Sequence, residues 1–225
     1  MLYVGLVLGV VAGNIAAHAA HIDSFRAYVA TLILIVPALA GARLLYVAAN
    51  WKTYKHDLRR IWDRQDGGLI MYGGLPAILL LSVPLLSALR LNFGAFWDVS
   101  SFTILVGTMF TRVGCLLNGC CAGCPSKAWF SAYLPNREGV WEKRVPTQIV
   151  EAGWAQVLLV SGIVIWPRLP FRGGLFLFVA AGYASARLLT ELARERKDDA
   201  PRLSVAHVVS IITVLLSVST LTFYW

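Results

Sequence analysis

The sequence predicts an all-α, polytopic integral membrane protein, with about seven transmembrane helices around a polar cavity open to one face. Three observations predict it. Of 225 residues, 58% are hydrophobic and only 14% charged, against about a quarter charged in ordinary soluble domains, and the mean hydropathy is +0.67. Seven stretches approach the roughly 20 apolar residues that a spanning helix needs. The 20 lysines and arginines against 12 acids give a net +8, and in so apolar a chain that excess suits lipid headgroups. Nucleic acid is excluded as a partner, because no aromatic stacking platform is interleaved with the basic residues.

The expected spans follow in order. Residues 2–20 lack the basic start of a signal peptide and carry Asn14 and His18, so this helix is expected to be retained. Residues 27–49 form the second span. The charged stretch 52–64 after it holds Tyr54, Leu58, Ile61 and Trp62 and is expected to lie along the interface. Residues 67–89 open on two glycine pairs, and residues 95–118 run into a cysteine cluster. Residues 147–166 and 173–191 are joined by a tight turn containing Pro167, Pro170, Arg172 and Gly173. A charged hinge from Arg194 to Arg202 leads to the last span, 203–224. No repeat or long linker interrupts the chain, so residues 1–225 are expected to form a single membrane domain.

Charge inside a bilayer is expensive, so ionisable groups within spans are candidate functional residues. Loops one, three and five carry four basic residues, Arg26, Arg90, Arg168 and Arg172, whereas loops two, four and six carry thirteen, Arg144 among them. Three more lie within helices: Arg43, Arg112 and Arg187. Each sits late in an even-numbered span, so all three approach one face. That face also receives Tyr72, Gln148, Glu151 and the cysteines, and Glu191 shares a helix side with Arg187 at i, i+4. Guanidinium forks hold phosphate oxygens through paired hydrogen bonds and stay charged when desolvated. A glycerophospholipid is therefore the expected ligand. The pairs Gly67-Gly68, Gly73-Gly74 and Gly173-Gly174 suit either close approach to that ligand or helix packing.

These residues resemble a known family. Residues 112–119, Arg-Val-Gly-Cys-Leu-Leu-Asn-Gly, resemble the prolipoprotein diacylglyceryl transferase signature Arg-x-Gly-Asn-Phe-x-Asn-Gly-Glu. Gly41, Arg43 and Tyr46 resemble its Gly-x-Arg-x-x-Tyr, residues 67–74 its double-glycine segment, and Pro146, Gln148 and Glu151 its Pro-x-Gln-x-x-Glu. Tyr183, Arg187, Glu191 and Arg194 resemble its Tyr-x-x-x-Arg-x-x-x-Glu-x-x-Arg helix. The resemblance implies transfer of a diacylglyceryl group from phosphatidylglycerol to a cysteine thiol of a lipoprotein precursor, with glycerol phosphate leaving. Arg112 and Arg187 would hold the phosphate, Asn118 and Gly119 shape the turn beside it, and Glu191 orient Arg187. Arg43, Tyr46, Gly73, Gly74, Gln148 and Glu151 complete the expected substrate-binding set, with Tyr72, Cys115 and Cys120 beside the arginines as catalytic candidates.

The sequence departs from the family pattern at four chemically serious positions. Tyr72 stands where the family has His, Cys115 where it has Asn, Cys120 where it has Glu, and Val145 where it has His before Pro-x-Gln; the insertion in loop four is also short. A His titrates near about 6.5 and a Tyr near about 10, so Tyr72 is no direct substitute for a histidine base. The proton-transfer half of the machinery therefore matches less well than the binding half.

All four cysteines, Cys115, Cys120, Cys121 and Cys124, fall at the end of the fourth span, and three readings of them stay open. Nearby arginines would lower a thiol pKa and make Cys115 or Cys120 a base or an acceptor. Cys121 and Cys124 form a Cys-x2-Cys pair of redox or metal type, weakened by the lack of a second separated pair. Packing or a single disulfide is the third. No cofactor and no metal are assigned. The alternatives to a transferase are a non-catalytic lipid- or lipoprotein-binding relative and a membrane thiol-redox protein. A monomer in a bacterial cytoplasmic (inner) membrane is expected. The positive-inside count would place the site in the cytoplasm; the resemblance implies an outward-facing site, and that orientation is taken.

Overall fold

The computed structural model describes residues 1–55, 57, 61, 71–135, 139–193 and 205–224. Among them the chain is mostly helical: α1 (Leu2–Ala19), α2 (Ser24–Ala49), the single turn α3 (Trp51–Tyr54), α4 (Met71–Ala88), α5 (Phe93–Leu117), α6 (Thr147–Ile165), α7 (Gly174–Leu192) and α8 (Val205–Tyr224). α2, α5, α6, α7 and α8 are long and apolar enough to cross a membrane, while α1 and α4 are apolar but shorter. The seven long helices follow the seven expected stretches in order. α2 starts earlier than expected because the Asp23 carboxylate caps it, accepting from the Arg26 amide at 3.0 Å. Residues 67–70 of the third stretch, most of the interfacial stretch and the 194–202 hinge lie outside the described residues.

Large aliphatic side chains point outward along these helices. Leu80 is 74% exposed and Val36 is 69% exposed, a pattern that water would oppose and hydrocarbon does not. The chain is a multi-pass membrane protein. One element was not foreseen: a hairpin in loop four, β1 (Ala132–Pro135) paired antiparallel with β2 (Trp141–Arg144), in the register Ala132 to Arg144 and Pro135 to Trp141. Side chains alternate across it, with Leu134 and Arg144 buried and Tyr133 and Trp141 stacked outside, ring centroids 6.3 Å apart.

The chain divides into two compact units, Met1–Ala20 with Gly94–Trp225, and His21–Phe93. In the second, α2 and α4 cross at near backbone contact. A Cβ on Gly41 would lie 2.5 Å from the Gly73 carbonyl, and one on Gly74 would lie 2.6 Å from that of Ala38. Small residues at a crossing replace the hydrophobic drive that lipid removes. This gives Gly73 and Gly74 the packing role.

In the first unit, Gly5, Gly9 and Gly13 form a small-residue stripe on α1 laid against α5, where a Cβ on Gly9 would meet the Thr103 carbonyl at 2.6 Å. α7 packs against both α6 and α8, and the Trp154 indole on α6 donates to the Gly182 carbonyl on α7 at 2.9 Å.

Candidate active site

α5 and α7 start from a shared tether. Asp98, 3% exposed near the start of α5, accepts from the Gly173 amide at 2.7 Å and from the Phe176 amide at 3.0 Å. A carboxylate on the unpaired N–H groups of a helix start satisfies donors that lipid cannot. Gly173 holds φ at 102°, a left-handed turn that favours glycine. Arg112 follows Asp98, and Arg187 follows Gly173, by the same number of residues, roughly four turns or about 21 Å at 1.5 Å per residue. Removing the carboxylate by Asp98→Ala is expected to destabilise the protein by about 1–3 kcal/mol by orphaning two buried amides, read as a lower unfolding temperature in detergent.

The two helices meet again at the guanidinium groups. Glu151, on the first turns of α6 and 3% exposed, takes one arginine on each carboxylate oxygen. Its Oε2 lies 2.6 Å from Arg112 Nε and its Oε1 lies 3.0 Å from Arg187 Nη1. Both arginine side chains are 11% exposed. Glu191 lies one turn beyond Arg187 at 3.5 Å, and Tyr183 hydrogen-bonds Arg112. The expected convergence of Arg112, Arg187, Glu151 and Glu191 is therefore observed, with a feature the sequence did not reveal: a single carboxylate sits between the arginines. Two formal positive and two negative charges leave the cluster neutral, so desolvation is offset by pairing.

The rest of the Pro146, Gln148, Glu151 motif faces the cysteine loop. Thr147 Oγ1 donates to the Cys121 carbonyl at 2.7 Å and Gln148 Nε2 donates to the Cys120 carbonyl at 2.6 Å. Gln148 is 1% exposed. Its expected place near the substrate thus becomes, in the structure, a clamp on the loop. Thr147 was missed, although its hydroxyl between Pro146 and Gln148 at a helix start was a readable signal.

The loop itself begins as a Schellman motif. The Cys120 amide donates to the Cys115 carbonyl at 3.0 Å and the Gly119 amide donates to that of Leu116 at 3.1 Å, with Gly119 left-handed at φ 64°. Asn118 and Gly119 are accounted for as this helix end. The loop is then pinned by backbone bonds from Gly123 to Val145 and from Cys124 to Ala193, at 2.9 and 2.8 Å.

Arg144 was read only as one of thirteen loop cations. It is 2% exposed, paired with Glu142 at 2.9 Å and donating to the Gly123 carbonyl at 3.0 Å. Its charge is used inside the protein. Cys120 lies on the same loop, exposed beside Cys115 and Cys121. Nearby arginines were expected to lower its thiol pKa; instead, removal from water, and then the neighbouring Cys121 thiol, push it up. That direction is opposite to the one expected from the arginines. Cys115 shares its neighbourhood, with all of the Cys115, Cys120 and Cys121 sulfurs within 4.8 Å of one another.

The remaining candidates belong to the other unit. Arg43 is buried there, its Nε donating to the Ile61 carbonyl at 2.8 Å and its guanidinium 5.6 Å from the ring centres of Tyr46 and Tyr54. Arg43 thus lies over the faces of both tyrosine rings. Tyr72 falls on α4, its side chain outside the described residues.

Comparison with known proteins places this geometry. The sequence profile described as prolipoprotein diacylglyceryl transferase matches residues 1–223. A protein of Dehalococcoides mccartyi named phosphatidylglycerol–prolipoprotein diacylglyceryl transferase is 31% identical over 205 residues, 88% of this chain and 77% of that one. A protein of the same name from Clostridium botulinum is 25% identical over 192 residues, 83% of this chain and 76% of that one. With helices, arginine pair and glutamate in the order that the motifs require, the chain belongs to the prolipoprotein diacylglyceryl transferase family, a family of membrane transferases.

Proposed function

We propose that the chain moves a diacylglyceryl group from phosphatidylglycerol to the cysteine thiol of a lipoprotein precursor, releasing glycerol phosphate. One observation carries this reading: two arginines from separate helices converge on a single carboxylate in a nearly dry site. In the reaction a carbon–sulfur bond forms as the carbon–oxygen bond to phosphate breaks. The donor phosphodiester carries one negative charge and the leaving phosphate two, the thiol proton passing to solvent. A fixed guanidinium pair is matched to that second charge, and groups that favour the transition state over the bound lipid raise turnover.

On this reading Arg112 and Arg187 hold the phosphate, while Glu151 and Glu191 position them. The seven long helices are seven spans of one monomeric domain in the inner membrane, with the site facing outward. Purified protein in phosphatidylglycerol vesicles, given a lipoprotein signal peptide with a free cysteine, is expected to release labelled glycerol phosphate. Arg187→Ala is expected to abolish release. Wild-type protein with no release, or full activity in Arg187→Ala, would overturn the assignment.

A second reading, a lipid-binding relative without turnover, is favoured by Tyr72 at the family's histidine position. It predicts phosphatidylglycerol retained through purification and lost in Arg187→Ala, with no glycerol phosphate released.

A further inference from the structure

The proposed transfer leaves three thiols without a task. Cys115 ends α5, and Cys120 and Cys121 follow the Gly119 turn, their sulfurs all within 4.8 Å of one another. None of the three is in a disulfide. The Schellman geometry explains one of these contacts, because it returns the residue after the left-handed glycine onto the helix three positions before its cap. Cys115 and Cys120 occupy those two places.

Nothing in that motif calls for Cys121. Its φ is 65°, a conformation that costs a residue with a Cβ about 1–2 kcal/mol. Its carbonyl is held by Thr147 at 2.7 Å and the preceding one by Gln148 at 2.6 Å. Burial does not compensate the strain, since both Cys120 and Cys121 are exposed. The strained backbone achieves one visible result, which is to bring a third sulfur to the first two. Strain of this kind collects at ligand sites.

We propose that Cys115, Cys120 and Cys121 form a three-thiolate site for a thiophilic divalent metal ion of the zinc class. At a metal–sulfur distance of about 2.3 Å, tetrahedral geometry sets sulfurs about 3.8 Å apart, so the trio closes on an ion by about 1 Å or less. Each thiol loses its proton to water on binding, and thiolate selects zinc-class over hard ions. The exposed side of Cys120 and Cys121 leaves a fourth, exchangeable position. The second separated cysteine pair sought in the sequence is unnecessary, because a helix end and a left-handed residue assemble the ligands from one short segment. Cys124 lies outside the trio, its amide occupied with the Ala193 carbonyl.

The site stands independently of the transferase reading, and its test does not read turnover. Full-length protein in detergent, kept reduced with a non-thiol reductant, is titrated with cobalt(II). Thiolate-to-cobalt charge-transfer and tetrahedral visible bands are expected to saturate at one ion per chain and to disappear on adding zinc. Cys115→Ser, Cys120→Ser and Cys121→Gly are each expected to weaken binding by about 100-fold, the upper end of what altered metal surroundings do; Cys124→Ser is expected to change it by less than about twofold. Cys121→Gly relieves the left-handed strain, so its loss of metal is not a loss of fold. Bands unchanged in Cys121→Gly, cobalt bound equally by the triple Cys115→Ser, Cys120→Ser, Cys121→Gly protein, or a disulfide within the trio in protein isolated without reductant would each overturn the proposal.

Discussion

Replacing Glu151 by glutamine is expected to lower kcat for glycerol phosphate release by at least about 100-fold, and to destabilise the protein by about 3–5 kcal/mol, the usual consequence of breaking a buried ion pair. Both carboxylate oxygens carry an arginine, at 2.6 and 3.0 Å. Glutamine keeps the shape but offers one acceptor and one donor, so one guanidinium faces an N–H group. Arg112 then loses its carboxylate, while Arg187 keeps Glu191 at 3.5 Å. KM for the lipid is expected to stay level or fall, because a competing anion has left the arginines. That split separates Glu151 as a positioning residue from a group that binds lipid. Glu151→Asp keeps the charge on a shorter arm and is expected to retain intermediate activity. Wild-type kcat in Glu151→Gln would show that the shared carboxylate does not set the arginine pair.

Substituting lysine for either arginine is expected to reduce kcat by about 10²–10³, as removal of one preorganised donor does elsewhere. The charge survives but the planar fork does not. Arg112 reaches Glu151 through Nε and hydrogen-bonds Tyr183, and Arg187 serves Glu151 and Glu191 together; an ammonium group on a flexible stem reproduces neither pattern. The double lysine variant is expected to lose little more than either single one, since residues acting as a unit are not additive. Glu191→Gln is expected to be milder, because its contact is 3.5 Å and its side chain is 18% exposed. Steady-state release of labelled glycerol phosphate, measured across the series at saturating vesicles, checks the order.

The helices and the arginines were legible in the sequence for the same reason. Hydropathy over some 20 residues is a strong signal in lipid, and a charge interrupting it stands out. Glu191 was readable from its i, i+4 spacing. Glu151 was found as a candidate but not as a bridge, because its two partners come from helices distant in sequence. Asp98 was missed although a lone acid inside an apolar span carried the same warning as the arginines; only basic residues were sorted by position. The burial of Arg144 was not foreseen because it depends on a hairpin of two four-residue strands, too brief for an alternation pattern to declare itself. The meeting of three thiols was invisible for a conformational reason: it needs left-handed backbone at Cys121, which no residue type there signals.

The Asp98 knot at the base of α5 and α7 bears on how the enzyme tolerates its solvent. Both helices run the same count of residues from that knot to their guanidiniums, so they behave as matched rods hinged at one end. When a thinner or thicker bilayer leans them over, the Asp98 tether at one end and the Glu151 bridge at the other are expected to restrain their separation. On the proposed reading, the spacing of the phosphate-binding pair is then set within the protein, by that knot and by Glu151, and is expected to vary little with the thickness of the lipid around it.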